Sequence, residues 1–288
     1  MVPLNKVNKL LTIVILISLT VCVILTGCTP ADTNKLQVVT STSLLAFIVE
    51  TIGDDYVDVI NIIPPAQCPG HFDVKPGDIQ KLSNADIFFI HGWQGEKFST
   101  DLIASAQNPD LVVVVVGTQG NWMTPPVQIE ATDTITAELN KVDPANSSIY
   151  QKSADAYKNT ITTTGDELKS ILTKANTSNV NVLCADQQAG FVKWAGLNVI
   201  DVFGRPDSLT PQIIRDLVDK GKASGVTLII DNLQSGADAG ASIAEELGCN
   251  RIILSNFPGG LDDTGTWEKA IRKNVDLIME IVSGGSGK

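Results

Sequence analysis

The stretch SSIYQKSADAYKNTITTTGDELKSILTKA, residues 147–175, decides the fold. It holds no proline and one glycine, Gly165. Ile149, Ala156, Ile161, Leu168 and Leu172 fall at spacings that place an apolar stripe on a helix. Upstream of it, β-branched runs at 37–41, 57–63, 85–91 and 111–116 alternate with helical patterns at 44–52, 76–82 and 98–107. Downstream, strand patterns at 179–184, 198–203, 226–231 and 251–255 alternate with helical ones at 188–195, 210–224, 237–247 and 267–282. Continuous apolar strands separated by helices make parallel sheets covered on both faces. The sequence therefore predicts an α/β protein of two lobes, each a parallel sheet flanked by helices, joined by one long connecting helix. The expected boundaries are 37–146 for the N-terminal lobe, 147–176 for the connector and 177–288 for the C-terminal lobe.

The N-terminus bears on location. Lys6 and Lys9 precede an apolar run over 10–25 that ends in Leu25-Thr26-Gly27-Cys28. A basic head, an apolar middle and small residues before a cysteine describe a secretory signal, here 1–27. The Leu-Thr-Gly-Cys order looks like a lipobox, which makes Cys28 the lipidated residue and 28–36 a polar tether. A retained membrane anchor is the other reading, since the run is a little short of a span. Both put the rest of the chain outside the cytoplasm, periplasmic or on the cell surface. No later apolar run approaches a span.

Composition excludes several classes. There are 32 acidic and 21 basic residues, a net charge of −11. Such a surface repels nucleic acid. Once Cys22 leaves with the signal and Cys28 takes a lipid, Cys68, Cys184 and Cys249 remain, an odd set that resembles no disulfide framework. No Gly-x-Ser-x-Gly elbow or glycine-rich phosphate loop is present, and His71 and His91 are the two histidines. The chain is not expected to be an enzyme or to need a catalytic cofactor. His91, at a strand end, reads as a loop histidine.

One segment narrows the class. Ile62-Ile63-Pro64-Pro65 leads into Cys68-Pro69-Gly70-His71-Phe72, and then Asp78-Ile79-Gln80-Lys81-Leu82-Ser83-Asn84-Ala85-Asp86. This resembles the first-ligand segment of the zinc/manganese-type substrate-binding lipoproteins of ABC importers. Val38-Val39-Thr40-Ser41, Ser208-Leu209-Thr210-Pro211 and 225–230 are similar to further segments of that family, and the long connecting helix is its hallmark. The resemblance implies zinc or manganese as cargo, held in the cleft between the lobes by about four ligands, and an ABC permease as the membrane partner.

Residue by residue, three of those ligand positions depart from the family. Gly120 precedes Asn121-Trp122 where a histidine is expected, Ala185 precedes Asp186, and Ser255-Asn256 carries no carboxylate. His71 is the surviving ligand. A single imidazole does not hold zinc, whose sites take three or four protein donors. Three repairs remain open. Cys68 and Cys184 join His71 and Asp186 in a metal site, or Cys68 pairs with Cys184 in a disulfide, or the cleft is rebuilt for a metal complex or a small organic molecule. Trp93, Asn121, Trp122, Gln187, Gln188, Asn232 and Gln234 supply the aromatic faces and neutral amides that the third repair requires, and Arg205 a charge for an anionic group. A surface interaction lipoprotein that keeps the fold without a ligand is the remaining class.

Overall fold

The structure, a computed structural model, describes residues 35–284; the expected signal, Cys28 and nearly all of the tether lie outside them. Strands β1 (Leu36–Thr40), β2 (Val57–Asn61), β3 (Ile87–Ile90) and β4 (Val112–Val115) form a sheet in the order β2-β1-β3-β4. Strands β5 (Asn181–Ala185), β6 (Asn198–Phe203), β7 (Leu228–Asn232) and β8 (Asn250–Leu254) repeat that arrangement as β6-β5-β7-β8. Every pairing is parallel. Strands β3 and β7 are buried along their whole length, and β1 and β5 over most of theirs, because helices cover both faces. In β3, Ile87 and Phe89 enter one core cluster and Phe88 and Ile90 another. In β7, Leu228 and Ile230 face one cluster and Ile229 the other.

The helices are α1 (Ser43–Gly53), α2 (Pro76–Ser83), α3 (Phe98–Ala106), α4 (Pro125–Val142), α5 (Ser147–Lys174), α6 (Ala189–Trp194), α7 (Pro211–Ala223), α8 (Leu233–Gly236), α9 (Ala241–Leu247) and α10 (Trp267–Gly284). Pro211 opens α7, and Thr210 caps it by accepting from the Ile213 N–H. Among the described residues, no helix is long and apolar enough to cross a membrane.

The connector is α5, 28 residues long. Its buried stripe is Tyr150, Ala154, Tyr157, Ile161, Leu168 and Leu172. The first half is thus rotated from the expected phase: Ile149 is half-buried and Ala156 exposed. The two tyrosines account for the rotation, since each buries its ring while its hydroxyl finds a partner. Tyr150 donates to Asp143 Oδ2 at 2.5 Å, and Tyr157 accepts from Gln128 Nε2 at 3.0 Å. Gly165 is where α4 crosses, for a Cβ there would lie 2.6 Å from Pro125 Cγ. The same core cluster takes Val38, Ile87 and Phe89 from the first lobe, the α5 stripe, and Leu228, Ile230 and Trp267 from the second. The lobes therefore share one core along the connector.

Two elements differ from expectation. Helix α4 was not foreseen, although Ala131, Ile135 and Leu139 repeat at helical spacing and are buried. The helix expected at 237–247 is shorter: a turn at 237–240 separates α8 from α9, with the Gly240 N–H turned to Asp231 Oδ1 at 2.7 Å.

Candidate functional site

In a sheet ordered β2-β1-β3-β4, the chain leaves β1 toward one side for β2 and crosses to the other for β3. The loops part beyond the carboxyl ends of β1 and β3, where open α/β sheets bind ligands. The second sheet has the same feature between β5 and β7. The loops beyond both sheets enclose a cavity of about 290 Å³. The first lobe lends it Cys68, Pro69 and Gly70 after β2, Trp93 after β3, and Gly120, Asn121 and Trp122 after β4. The second lends Gln187 after β5, Arg205 after β6, Asn232, Gln234 and Ser235 at the end of β7, and Asn256 and Phe257 after β8.

One wall is aromatic. Trp93 stacks on His91 with ring centroids 3.6 Å apart and planes 8° apart. Trp122 meets His91 edge-on at 4.4 Å. Phe257 lies nearly parallel to Trp93 at 6.4 Å. Glu96 fixes the loop that carries Trp93: its carboxylate accepts from the Ser41 hydroxyl, from the Gly92 N–H at 2.7 Å and from the Trp93 N–H at 3.3 Å. Burial pushes the Glu96 carboxyl above its ordinary range despite those donors.

The rest of the wall is a network of neutral amides. Asn121 Nδ2 donates to the Gln187 carbonyl and to Asn256 Oδ1, both at 2.9 Å, and Asn256 Nδ2 donates to the same carbonyl at 3.0 Å. Gln188 Nε2 donates to Asn232 Oδ1, Asn232 Nδ2 to Ser235 Oγ, and Ser235 Oγ to Gln187 Oε1. Gln234 Nε2 reaches the Pro65 carbonyl at 2.9 Å and so ties the lobes a second time. The guanidinium of Arg205 makes no hydrogen bond or ion pair among the described residues. It lies against the backbone of Gly70, where a Cβ would stand 3.0 Å from Nη1.

Of the residues expected to touch a ligand, Cys68, Trp93, Asn121, Trp122, Gln187, Arg205 and Asn232 line the cavity. Gln188 is fully buried behind Asn232, which it positions. Asp186 is exposed, and its carboxylate accepts from its neighbour's N–H (Gln187) at 2.7 Å. The metal set His71, Cys68 and Cys184 is not assembled. His71 ends a short turn (Pro69–His71) with its side chain exposed and outside the cavity wall. Cys184 sits inside β5, fully buried, its thiol pushed up to about 12 by burial. Both cysteines are free, so the disulfide reading falls as well. Among the described residues, no group of three or more His, Cys, Asp or Glu is placed to hold a metal ion. The physical reason is the strand ends: β5 runs through Ala185, so Cys184 stays in the core, and the turn after Cys68 carries His71 away from the wall. Gly70, Ser235 and Phe257 escaped the sequence reading. The signal for them was position, within a few residues past a strand end.

His91 gives the site region a pH signature. It is 1% exposed, its Nε2 lies 2.7 Å from Thr42 Oγ1, and its Nδ1 has no partner. Burial holds its pKa well below the ordinary 6.5. Between that value and 6.5 the unfolded chain binds a proton that the folded chain does not, so stability falls on acidification. Below pH 6.5 the loss approaches about 1.4 kcal/mol per pH unit. Urea unfolding at pH 7 and pH 5 is expected to show it, and to show a flatter profile for His91→Asn; equal slopes in the two proteins would refute it.

The comparisons agree with this architecture. The profile of the family described as ZnuA, "Zinc-uptake complex component A periplasmic", matches residues 38–281. The chain is 28% identical over 289 aligned positions to "Iron ABC transporter substrate-binding lipoprotein MtsA" of Streptococcus pyogenes serotype M1, covering 88% of this chain and 91% of that one. It is 29% identical, over 54% of its length and 58% of the relative's, to a "Metal ABC transporter substrate-binding lipoprotein" of Lactococcus lactis subsp. lactis. The substrate-binding protein FpvC of Pseudomonas aeruginosa, solved in complex with Mn2+, superposes with a TM-score of 0.76 at 21% identity, covering 88% of this chain and all of that one. A zinc-bound deletion mutant of ZnuA does so with a TM-score of 0.73 over 86% of this chain and 98% of that one. With its twin parallel sheets, its single long connector and a profile match spanning nearly all the described residues, this chain belongs to the ZnuA family of zinc-uptake component A proteins.

Proposed function

We propose that this chain is the extracytoplasmic substrate-binding lipoprotein of an ABC importer, anchored through a lipid on Cys28 and delivering cargo to a membrane permease. The observation that carries this reading is the cavity formed jointly by the carboxyl ends of both sheets, with walls drawn from both lobes. The curated relatives are named as lipoproteins of this transport class. Residues 1–27 serve as the signal, 28–36 as the tether, and 147–176 as the connector between lobes 37–146 and 177–288. Because the lobes share a close-packed core along α5, capture is a small closure of loops around the cargo rather than a wide hinge swing. In this reading the protein is a carrier, as its relatives are named; among the described residues, the ionisable side chains of the cavity wall are Arg205 and Cys68. Zinc or manganese belongs here as cargo, not as a resident cofactor, and this wall suits metal delivered within a complex.

A receptor gains stability from its cargo. At a free concentration about a hundred times Kd, a single site adds about 2.7 kcal/mol, a rise in Tm of roughly 5–10 °C for a chain of this size. Thermal unfolding of the full chain in detergent, scanned against fractionated small molecules of the growth medium, is expected to find one fraction with that effect. A protein that merely keeps the fold shows no shift with any of them. Cys28→Ala is expected to abolish lipid labelling and membrane retention of the processed chain; unchanged labelling would remove the anchor from this reading.

A further inference from the structure

We propose that the cavity is shaped for a flat organic anion, free or as the ligand of a chelated metal, with Arg205 taking its negative group. This rests on reading the chain as an importer receptor and names the class of its cargo.

Charge comes first. A bare divalent ion in this cavity meets a guanidinium, one thiol and no carboxylate or imidazole. Hard and borderline cations need oxygen or nitrogen donors that carry or share negative charge. The wall offers amides instead, and those of Asn121, Asn256 and Gln234 are already engaged in holding the lobes together. Arg205 is the one full charge, half-buried and without an acidic partner among the described residues. A guanidinium in that state is a fork for a carboxylate or phosphate-like group. Its position adds a mechanical argument. Arg205 belongs to the second lobe but its guanidinium lies on Gly70 of the first, so an anion bound there touches both lobes at once.

The rest of the wall describes the body of the ligand. Trp93 and Trp122 present rings whose orientation is fixed by His91 behind them, and Phe257 faces the same space. Preset aromatic faces favour a flat apolar body. Ser235 and the Gln187 amide stand at its polar edge. At about 290 Å³ the cavity is at the small end for organic ligands. The protein's net charge of −11 does not oppose this. At physiological salt, charges farther than about 8 Å are largely screened, and the guanidinium acts at contact.

The test uses the full chain in detergent, with native mass spectrometry and calorimetry against Zn2+, Mn2+, picolinate, salicylate and preformed zinc picolinate. One organic anion per chain is expected, either carboxylate alone if the cargo is metal-free, or the zinc complex alone if it is a chelate. Arg205→Gln is expected to weaken that binding about 10- to 100-fold, the worth of a charged hydrogen-bond pair. Gly70→Leu, which fills the space where the guanidinium lies, is expected to copy the loss. His71→Ala is expected to bind as the parent does. One-to-one binding of bare Zn2+ or Mn2+, undiminished in Arg205→Gln, overturns the inference and leaves the receptor reading standing. Absence of binding by every probe also overturns the inference, while the receptor reading stands or falls on the thermal scan against medium fractions.

Discussion

Trp267→Ala is expected to destabilise the protein by about 4–6 kcal/mol. Trp267 opens α10 and is fully buried in the core that the two lobes share. Its Nε1 donates to the Trp122 carbonyl at 3.1 Å, across 145 positions of sequence and from the second lobe to a loop of the cavity. Truncating a buried tryptophan costs about 3–5 kcal/mol in transfer and cavity terms. Leaving a buried carbonyl unpaired adds about 1 kcal/mol or more. For a chain of this size the sum corresponds to a Tm lower by roughly 10–20 °C. Trp267→Phe separates the two contributions, since it refills most of the volume and still forfeits the hydrogen bond; its expected cost is about 1–2 kcal/mol. Denaturant unfolding of the three proteins checks the order. An alanine variant within about 1 kcal/mol of the parent would mean that the shared core is not what joins the lobes.

The sequence showed the strands and the connector because both have strong periodic signals. A long connecting helix was expected over 147–176, and the helix there is Ser147–Lys174. Its face was half right, because Tyr150 and Tyr157 bury ring and hydroxyl together while Ile149 turns partly outward, an outcome decided by Asp143 and Gln128 on neighbouring elements. Helix α4 was missed although Pro125 marks its start: Thr132, Thr134 and Thr136 are weak helix formers, and their hydroxyls back-bond to Gln128, Glu130 and Thr132 only once the helix exists. At the site, Trp93, Asn121, Trp122, Gln187, Arg205 and Asn232 were legible because each follows or ends a strand. His71 was not, because its neighbourhood in sequence says nothing of which way a short turn aims its last side chain. Motif likeness kept His71 in view, whereas the geometry of the turn put Cys68, Pro69 and Gly70 on the wall in its place.

The second large effect is expected at Asp231, the residue before the end of β7. It is fully buried, with Oδ2 accepting from Arg251 Nη1 at 2.7 Å and Oδ1 from the Gly240 N–H at 2.7 Å. Removing one partner of a buried pair costs about 3–5 kcal/mol, because the survivor keeps its charge without compensation. Here the survivor is Arg251, whose side chain is 27% exposed and still holds the Ala237 carbonyl at 2.7 Å and Asp238 at 3.2 Å. Water can reach it, so Asp231→Ala is expected at the low end, about 3 kcal/mol. Asp231→Asn keeps an acceptor for Gly240 and is expected to cost less. The pair is not a free gain for the native state. Burial pushes the Asp231 carboxyl above its ordinary 3.8, against the lowering by Arg251 and Gly240. In the window between 3.8 and that raised pKa, the folded chain binds a proton that the unfolded chain lacks. Stability from this group therefore increases as pH falls through the window and is lost as pH rises out of it, opposite in sign to the contribution of His91. Acid unfolding of His91→Asn is expected to expose that gain, and adding Asp231→Asn to it is expected to remove it. If the single and double variants share one pH slope, the raised carboxyl is not Asp231. If Asp231→Ala unfolds within about 1 kcal/mol of the parent, the pair does not anchor the turn beside the cavity.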